Sequence, residues 1–272
     1  MDLSIIIIEY NSIDEIRAAV LAFQDAIHET EFEIIISSNS CYPPTQHQEL
    51  RDSIPLAKWI FNEKNGGFAY GMNQGMKQAK GDFLLISNPD VRLKTPLKPA
   101  LEFMKQHPEV GALGAQILDT YGNIQDSCRN FMWPVEMICR QMIRLITSKD
   151  VLLNKRFDYE KIQPVDWVIG AFILTRRNVY NETKGLDEGY FLYVEDMDWN
   201  YRIHKAGYQV FYFPEVQIEY KGDRKSTKAF FRSKLLISHY GWEHLKSYCR
   251  FLYKVFVAKV FTYYQQNNNE RL

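Results

Sequence analysis

The first half of the chain alternates short apolar runs with amphipathic stretches, a pattern typical of strands separated by helices. Leu3–Ile8 is apolar at almost every position, which predicts a strand buried on both faces. Three further runs predict strands: Phe32–Ile36, Ala57–Phe61 and Asp82–Ile86. Phe68–Ala79, between the last two, predicts a helix. This alternation predicts βαβ units and a mostly parallel, twisted sheet flanked by helices, an α/β fold.

The first predicted helix has a recognisable beginning. Ser12 is a favoured N-cap residue, and Glu15 three positions later predicts a capping box. The helix then places on one face the apolar residues Ile16, Ala19, Val20 and Phe23. We therefore expect this face to pack on the sheet.

The second half is less regular. Val110–Leu118 predicts a strand, joined through a turn at Asp119–Gly122 to a return strand at Asn123–Ser127. Val168–Thr175 predicts another strand, and Met132–Asn154 has the pattern of a helical insertion. The remaining predicted elements are a helix at Glu195–Ala206, a strand at Gln209–Phe213 ended by Pro214, and a helical segment from about Ser226 to Tyr264 with a frayed tail at Gln265–Asn269.

Charge is unevenly distributed in a chain whose formal net charge is zero. Between Lys221 and Lys259 there are ten Lys and Arg residues against two acids, together with many aromatic residues. Within it, Lys246, Arg250 and Lys254 form a basic stripe at helical spacing. Such a helix either packs on the rest of the protein with a solvated basic side, or lies on an anionic membrane surface. Nucleic acid is the less favoured partner.

The composition otherwise indicates a cytoplasmic globular protein. At 272 residues and 46% apolar content, the chain can bury a sizeable core. Its four cysteines have no CxxC spacing, which favours reduced thiols over disulfides or a zinc site. No apolar stretch has the length of a signal peptide or a membrane span. The histidines show no metal-ligand spacing, and we expect His244 to be solvated.

Polar residues follow three of the predicted strands directly. They are Tyr10-Asn11, Ser38-Asn39 and Asn88-Pro89-Asp90. Ligands in parallel α/β sheets bind beyond the carboxyl ends of the strands, so we expect these residues to meet there. A carboxylate at the position of Asp90 suits Mg²⁺ or Mn²⁺ bound together with phosphate, although an ordinary Asn-Pro-Asp turn explains the residues equally well.

The segment Asn65–Gly75 contains four glycines and two asparagines. Gly66 and Gly67 permit a tight loop into a helix, whose first backbone amides would face a diphosphate. Asn73 lies further along the same helix. The alternative is that the glycines merely allow the helix to pack closely on the sheet.

Acidic residues cluster at the start of a helix about a hundred residues later, at Glu195-Asp196-Met197-Asp198. The aromatic stretch Tyr190–Tyr193 precedes them and would form a dry pocket wall, suited to a base that takes a proton from a hydroxyl. Acids in a first helical turn are also stabilised by the helix dipole without any catalytic role. Trp167 and Gly170 offer an aromatic beside a small residue, as stacking on a sugar requires, or simply a strand that enters the core.

Taken in order, these segments resemble the family 2 inverting glycosyltransferases of GT-A fold, particularly the rhamnosyltransferase-like branch. The resemblance runs from Leu3 to about Gly222. It rests on Ser4–Ser12, Asn65–Gly75, Asn88–Asp90, Gly114–Ile117 with Asp119 and Gly122, Trp167–Ala171, Gly185–Glu188, Tyr190-Phe191 and Glu195–Asp198. It implies a nucleotide-diphospho-sugar transferase domain at residues 1–222 and a basic, aromatic helical extension at residues 223–272.

The resemblance implies a role at each matching position. Asp196 would be the general base, Glu195 would orient the base or the acceptor, and Asp90 would bind the divalent metal. The implied donor-binding residues are Tyr10, Asn11, Ser38, Asn39, Asn65, Gly67, Asn73, Asn88 and Asp90. The implied acceptor-binding residues are Trp167, Gly170 and Asp198.

Three positions depart from the family pattern. The family usually has Thr or another small residue where Glu9 stands, and Asp where Ser38 stands. Near Glu219–Gly222 it often has His, where this chain has Glu219-Tyr220. These differences predict weaker binding of uridine and repulsion beside a diphosphate unless a metal intervenes. They favour either an unusual donor or lost activity, and because the base and metal positions remain we expect a working enzyme.

The sequence therefore predicts a metal-dependent, inverting hexosyltransferase. We expect it to move a hexose or deoxyhexose from a UDP or dTDP sugar to a glycan or lipid-linked glycan in cell-surface polysaccharide synthesis, in the cytoplasm or on the inner face of the membrane. A catalytically silent sugar-nucleotide or glycan-binding protein is the first alternative. A Rossmann-type oxidoreductase is the second, disfavoured because no Gly-x-Gly-x-x-Gly follows the first strand.

Overall fold

A computed structural model describes residues 1–131, 157–220 and 239–269, and gives side chains for residues 241–257 of the last range. The predicted insertion Met132–Asn154 lies outside the described residues, as does the start of the predicted C-terminal helical segment.

The described elements alternate as predicted in the first half of the chain. The strands are β1 (Leu3–Glu9), β2 (Phe32–Ser38), β3 (Ala57–Phe61), β4 (Phe83–Ser87), β5 (Val91–Leu93), β6 (Val110–Leu118), β7 (Ile124–Gln125), β8 (Cys128–Arg129), β9 (Gln163–Val165), β10 (Trp167–Val168), β11 (Phe172–Arg176) and β12 (Gln209–Tyr220). The helices are α1 (Ile13–Ala26), α2 (Pro44–Ser53), α3 (Gly67–Gln78), α4 (Lys98–Gln106), α5 (Arg177–Thr183), α6 (Glu195–Lys205) and α7 (His239–Asn269).

The main sheet has the strand order β3-β2-β1-β4-β11-β6-β12-β5. The first four strands are parallel, as the sequence predicts, and β1 is hydrogen-bonded to β2 on one side and β4 on the other. Beyond β4 the sheet is mixed, because β11 is antiparallel to both β4 and β6, whereas β12 is parallel to β6. The carboxyl ends of β1, β2 and β4 therefore lie at one edge of the sheet.

Helices cover both faces of this sheet. Side chains alternate between the faces of a strand, and β1 is buried on both, with Ile5 on one side and Ile6 on the other. Phe23 of α1 packs in the cluster with Ile5, while Met72 of α3 packs with Ile6. This arrangement confirms that the apolar run of β1 is a strand buried on both faces.

The beginning of α1 differs from the prediction in its capping. Ser12 is the N-cap residue, but its side chain makes no capping hydrogen bond, so the predicted capping box with Glu15 is wrong. The Ser12 N–H donates instead to the Glu9 carboxylate (3.0 Å), and the Ser12 hydroxyl accepts from the N–H of Tyr10 (3.4 Å). The Glu9 carboxylate therefore holds the turn that leads into α1.

Two predicted strands have different limits in the structure. Gln209–Phe213 was expected to stop at Pro214, but β12 continues to Tyr220, with a register shift between Phe213 and Gln217. A proline, which has no N–H, is tolerated in a strand at such an irregularity. Val168–Thr175 is divided into β10 and β11 by Gly170-Ala171, which leaves backbone groups of these two residues outside the strand ladders.

The C-terminal helix α7 packs on the segment around α6. Phe251 and Val255 of α7 share a buried cluster with Tyr190, Val194 and Met197. The helix runs to Asn269, so the tail predicted to fray is helical. The proposed division into residues 1–222 and 223–272 stays a prediction.

Candidate active site

The tips of β1 and β2 form one side of the site. Tyr10 is 55% exposed directly after β1, and Asn11 follows with a φ of 52°, in the left-handed region. The Asn11 N–H donates to the Ser40 hydroxyl (2.7 Å), which holds this turn against the end of β2. Ser38, the last residue of β2, is buried and donates its hydroxyl to Glu9 (2.5 Å).

Asn39 connects these strand ends to the glycine-rich loop. Its side chain is buried and donates to the carbonyl of Gly67 (2.9 Å), and its backbone N–H donates to the carbonyl of Glu9 (2.8 Å). Asn62 in turn donates to the Asn39 side-chain oxygen (2.9 Å). Asn65 accepts from the N–H of Gly67 (3.1 Å), which closes the loop before α3. Asn39, Asn65 and Gly67 therefore lie together, as the donor-site prediction requires.

The first amides of α3 already have acceptors in the protein. The Phe68 N–H donates to the carbonyl of Phe191 (2.9 Å), just as the Gly67 N–H donates to Asn65. A diphosphate at these two amides would have to displace both contacts. Gly67 has a φ of +88°, and a Cβ there would lie 2.2 Å from the Phe191 carbonyl oxygen. Glycine is required here because of a close approach between two distant segments.

Asn73 lies inside α3 and contacts the loop before Tyr190. Its buried amide donates to the carbonyl of Leu186 (2.8 Å) and to Glu188 (3.0 Å), and its oxygen accepts from the Leu186 N–H (3.1 Å). These contacts fix the loop that leads to Tyr190 and Phe191. A donor-binding role for Asn73 stays a prediction.

Asn88-Pro89-Asp90 follows β4 and is held from two directions. The Asn88 N–H donates to the carbonyl of Ala171 (3.0 Å), and the Asn88 amide donates to the hydroxyl of Tyr220 (3.1 Å). Burial lowers the pKa of the nearby Arg92, while Asp90 is the strongest of the acids that raise it. The loop therefore lies where β4, β11 and β12 come together.

The negative charge of Glu219, which departs from the family pattern, is neutralised by a lysine. Glu219 forms an ion pair with Lys94 (2.7 Å) and is the cross-strand partner of Arg92. Two cations beside one carboxylate oppose the repulsion that the sequence predicts for Glu219 near a diphosphate.

Asp196, the second residue of α6, contacts the turn between β10 and β11 through its carboxylate. Its Oδ2 accepts from the N–H of Gly170 (2.8 Å), and its Oδ1 accepts from the N–H of Met197 (2.8 Å). Burial raises the pKa of Asp196, and these two amides partly oppose that effect. Phe68 reaches the same place, because a Cβ on Gly170 would lie 3.5 Å from its ring and 3.3 Å from the Asp196 Cβ.

Gly170-Ala171 thus joins the two acidic motifs. The N–H of Gly170 binds Asp196, while the carbonyl of Ala171 binds the backbone of Asn88, two residues before Asp90. Motifs about a hundred residues apart in the sequence are brought to one junction by the break between β10 and β11.

Glu195 is a buried carboxylate whose hydrogen bonding is incomplete within the described residues. It is 6% exposed, and within the described part of the chain its Oε2 has no hydrogen-bond partner. Burial raises its pKa well above the usual value, and the neighbouring Asp196 raises it further. Tyr193 and Val194 precede α6 with φ values of 68° and 72°, in the left-handed region. This conformation is strained for Val194 because its side chain is β-branched. Buried, unpaired acids on a strained entry are typical of functional sites.

Asp198, predicted to contact the acceptor, lies in an ionic network behind the site. It is 1% exposed and accepts hydrogen bonds from Tyr190 (3.2 Å), Arg202 (2.8 Å) and Lys254. Lys254 also pairs with Asp187 (2.8 Å). Asp198 therefore joins α6 to α7, and direct contact with an acceptor stays a prediction.

The basic stripe of α7 is used within the protein. Arg250 and Lys254 both pair with Asp187, and Lys246 pairs with Glu243 in the same helix. Burial raises the pKa of Asp187, but hydrogen bonds from Lys254, the Gly189 N–H and Arg250 outweigh it and lower the pKa to about 2. The outward face of α7 also carries aromatic residues, with Trp242, Tyr253 and Phe256 at least half exposed, and Lys246 is exposed as well.

Two further residues, Arg129 and His244, lie beside the predicted acceptor side. Arg129 is the cross-strand partner of Trp167, and its guanidinium carbon lies 5.2 Å from the centre of that ring. The charge of Arg129 lowers the pKa of Asp196, so the two groups are near each other. His244 is half-buried 5.3 Å from Tyr193, and burial lowers its pKa, so the prediction that it is solvated is wrong. Neither position has a local signal, because both depend on pairing between distant segments.

The described residues contain neither a preformed cluster of metal ligands nor a membrane span. They contain no group of three or more His, Cys, Asp or Glu side chains placed to hold a metal. Asp90 is a single carboxylate beside Asn88, a donor set that fits Mg²⁺ or Mn²⁺ only when phosphate oxygens and water complete the coordination. Among the helices described, none is both long enough and apolar enough to span a bilayer.

Two known rhamnosyltransferases are similar to this chain in sequence. The rhamnosyltransferase WbbL of Escherichia coli is 25% identical over 209 residues, 76% of this chain and 75% of WbbL. N-acetylglucosaminyl-diphospho-decaprenol L-rhamnosyltransferase of Mycobacterium tuberculosis is 28% identical over 142 residues, 50% of this chain. The match covers 46% of that relative, so the chain spans about half of its length.

The fold has relatives of known structure. GalNAc-T7, crystallised with UDP, GalNAc and Mn²⁺, superposes with a TM-score of 0.60 at 14% identity, over 81% of this chain and 44% of its own. At that identity the likeness concerns the fold, which is the predicted GT-A fold. Residues 4–201 match the family model described as glycosyl transferase family 2. Because these residues make up most of the chain, the protein belongs to glycosyl transferase family 2, on its rhamnosyltransferase-like side.

Proposed function

We propose that this glycosyltransferase moves a hexose or deoxyhexose from a UDP or dTDP sugar to a glycan or lipid-linked glycan, with inversion, in cell-surface polysaccharide synthesis. The observation that carries the proposal is the Gly170-Ala171 junction, which sets Asp196 and the Asn88–Asp90 loop side by side. A single displacement needs a base and a site for the leaving diphosphate on opposite sides of one sugar ring.

In this mechanism Asp196 takes the proton of the acceptor hydroxyl. The hydroxyl oxygen then forms a bond to the anomeric carbon as the bond from that carbon to the diphosphate breaks, and the configuration inverts. A raised pKa makes the Asp196 carboxylate a stronger base than an ordinary aspartate, while the N–H groups of Gly170 and Met197 fix its direction. Glu195, whose pKa burial raises well above the usual range, would orient the base or the acceptor.

Asp90, with Asn88 beside it, would hold a divalent cation together with the phosphates of the donor. Such an ion would supply positive charge to the departing diphosphate. The Mn²⁺ and UDP crystallised with GalNAc-T7 support this assignment, as does the cationic pairing of Glu219, which removes a competing negative charge. Tyr10, Asn11, Ser38, Asn39, Asn65 and Gly67 would surround the nucleotide, and Trp167 and Gly170 the acceptor.

We place the enzyme in the cytoplasm, in contact with the inner membrane surface through residues 223–272. Because Arg250 and Lys254 pair with Asp187, this contact would use the exposed aromatic face of α7 rather than its basic stripe. The name of the mycobacterial relative contains a lipid-linked sugar, and an acceptor of that kind would be presented at the membrane.

The proposal is tested by calorimetric titration of UDP and dTDP, with and without Mn²⁺, into the wild type and Asp90→Ala. We expect metal-dependent binding of one nucleotide, which Asp90→Ala abolishes. The corresponding nucleotide sugar should then release nucleotide slowly in the presence of enzyme, and Asp196→Asn should stop this release without weakening nucleotide binding. Binding without any turnover would favour the silent alternative, and no binding of either nucleotide would contradict the proposal.

A further inference from the structure

The segment Asp187–Val194 leads into the acids of α6, and α7 packs along it. At the beginning of the segment, Asp187 pairs with Arg250 of α7 (3.1 Å). Near its end, the carbonyl of Leu192 accepts a hydrogen bond from the hydroxyl of Ser247 (2.9 Å). Ser247 is buried, and a hydrogen bond away from water is electrostatically stronger than one in solvent. The helix therefore holds the segment near both of its ends.

Arg250 also contacts the middle of this segment. A Cβ on Gly189 would overlap the guanidinium of Arg250, so that side chain lies directly against the backbone there. The guanidinium carbon of Arg250 lies 5.4 Å from the centre of the Tyr190 ring, and Nζ of Lys254 lies 5.3 Å from the same centre. Two cations beside one buried ring attract it electrostatically. The position of Tyr190 therefore depends on α7.

The carbonyl of Phe191, in the same segment, binds the donor side of the site. It accepts from the N–H of Phe68 (2.9 Å), at the beginning of α3. Two successive carbonyls thus connect one short stretch of backbone to α3 and to α7. Gly67 is held in addition by Asn39 and Asn65, so the donor loop keeps these two anchors whatever happens to α7.

Directly after these carbonyls the chain enters α6 through a strained turn. Tyr193 and Val194 are both in the left-handed region, with φ values of 68° and 72°. Such conformations persist only where the surrounding structure over-determines them. On one side the constraint is the anchored backbone at Leu192, and on the other it is the first turn of α6, where the N–H of Asp198 donates to the carbonyl of Val194 (2.8 Å). Releasing Leu192 would let this turn relax and would move the start of α6.

We propose that Ser247 and Arg250 of α7 position the base, because they hold the segment before α6 so that its strained turn directs Asp196 at the N–H of Gly170. This inference rests on the proposed function and deepens it. Both side chains act through the backbone of the segment Asp187–Val194, so they are positioning residues. The helix α7 then works as part of the catalytic unit and not as a separate extension.

The experiment compares nucleotide binding and turnover in the full-length wild type and Ser247→Ala. Binding of UDP and dTDP with Mn²⁺ is measured by calorimetry, and turnover is the release of nucleotide from the sugar donor whose nucleotide binds. We expect kcat to fall about tenfold in Ser247→Ala, because a displaced base no longer faces the attacking hydroxyl, while the Kd of the nucleotide changes less than about twofold. Arg250→Gln should lower kcat by a smaller factor, because Lys254 still pairs with Asp187.

The pH profile separates displacement of the base from a general loss of stability. Burial raises the pKa of Asp196 more than the N–H groups of Gly170 and Met197 lower it. A base released from this environment returns toward the pKa of an ordinary aspartate, so the acid limb of kcat in Ser247→Ala should move to lower pH. Glu195 and Arg129, the ionisable neighbours of Asp196, are present in every variant.

Thr175→Val is the matched control for Ser247→Ala. The hydroxyl of Thr175 is buried and donates to the carbonyl of Gly111 (2.7 Å), so its removal breaks the same kind of hydrogen bond between distant segments. Thr175 lies toward the end of β11 that is away from Ala171, and it pairs with Leu84 near the start of β4. We expect the melting temperature to fall similarly in both variants, but kcat and the acid limb to stay unchanged in Thr175→Val.

A wild-type kcat and acid limb in Ser247→Ala, or an equal fall of kcat in Thr175→Val, would overturn this inference and leave the proposed function intact. Loss of nucleotide binding in Ser247→Ala would also overturn it, because α7 would then support the donor side. The Arg250 side chain is 46% exposed, so Arg250→Gln decides the matter if thermal melting shows that Ser247→Ala does not fold. A wild type that binds no nucleotide, or binds it without turnover, would instead contradict the proposed function, and the inference with it.

Discussion

The two sides of the site are built in different ways. On the side of β1 and β2, polar residues lie at the ends of neighbouring strands and bind one another, as Glu9 binds Ser38. On the side of α6, each acid depends on a distant segment: Asp196 on Gly170, and Asp198 on Lys254 of α7. The first side follows from local pattern and chain direction, whereas the second follows from tertiary contacts that no local pattern contains.

The two sides also treat buried charge differently. Glu9 is fully buried, yet four donors satisfy its oxygens. Glu195 is almost as buried, yet one of its oxygens has no partner within the described residues. A satisfied carboxylate stabilises the fold around it, while an unsatisfied one lowers stability and is kept for another reason. We infer that the hydrogen bonds at the strand tips stabilise the fold. We also infer that the unpaired acid at the entry of α6 lowers stability and is kept because it serves the reaction.

The largest expected effect comes from Gly67→Ala, which breaks the contact between the two sides. The new Cβ would lie 2.2 Å from the Phe191 carbonyl oxygen, at a φ of +88°. The same carbonyl accepts from Phe68, so moving it away also breaks a hydrogen bond. We expect a loss of about 3 kcal/mol or more in the free energy of unfolding, measured by urea denaturation.

Gly122→Ala is the control for this substitution. Gly122 has a similar φ of +82°, but a Cβ there meets no atom within 4 Å. It should therefore lose only the cost of the left-handed backbone, about 1–2 kcal/mol. Equal losses in the two variants would mean that the Gly67–Phe191 contact does not join the sides of the site.

The local side of the site was predicted well from the sequence. An apolar run buried on both faces, as in β1, has one plausible structure in an α/β pattern, and its carboxyl end then fixes where Tyr10 and Asn11 lie. The roles that the resemblance to a known family implies for Asp90 and Asp196 stay predictions. Their proximity, however, depends on the break at Gly170-Ala171, where the sequence predicts one continuous strand.

Long-range pairing explains the remaining errors. The sequence assigns Lys254 to a solvated or membrane-facing stripe because the spacing of charges on a helix does not reveal what packs against it. Ser12 and Glu15 satisfy the rule for a capping box, yet Glu9, from the preceding strand, competes successfully for the Ser12 N–H. Arg129 lies beside the predicted acceptor side only because its strand pairs with that of Trp167, and no local pattern predicts this pairing.

The next largest effect is expected for Lys254→Gln, which removes one cation from the network between α6 and α7. Asp198 would keep Arg202 but lose Lys254, and Asp187 would keep Arg250 as its remaining cation. We expect a loss of about 2 kcal/mol in unfolding free energy, less than for a fully broken buried pair because Arg202 remains. Lys246→Gln, which breaks an exposed pair in the same helix, should change stability by less than about 0.5 kcal/mol. Similar small losses in both variants would show that α7 is not anchored by this network.

Glu195→Gln tests whether stability is given up at the entry of α6. The raised pKa means that the folded protein holds this proton longer than the unfolded chain does. Wild-type stability should therefore fall as pH rises from the ordinary glutamate range toward the raised pKa, whereas the neutral amide does not titrate. The melting temperature of Glu195→Gln should thus exceed that of the wild type by a margin that grows as the pH rises above the ordinary glutamate range. A margin that is constant or shrinks would show that Glu195 is not a strained, buried acid.

The smallest effect is expected for Arg129→Gln, which tests whether the pairing of β8 with β10 reaches the base. The charge of Arg129 lowers the pKa of Asp196, so its removal should raise that pKa and move the acid limb of nucleotide release to higher pH. The shift should be modest, because the Arg129 side chain is 41% exposed and also paired with Asp126. Arg17→Gln, at an exposed arginine of α1 paired with Asp14, is the control and should leave the limb in place. An unmoved limb in Arg129→Gln, with turnover otherwise normal, would mean that the second side of the site is tuned by burial and backbone amides alone.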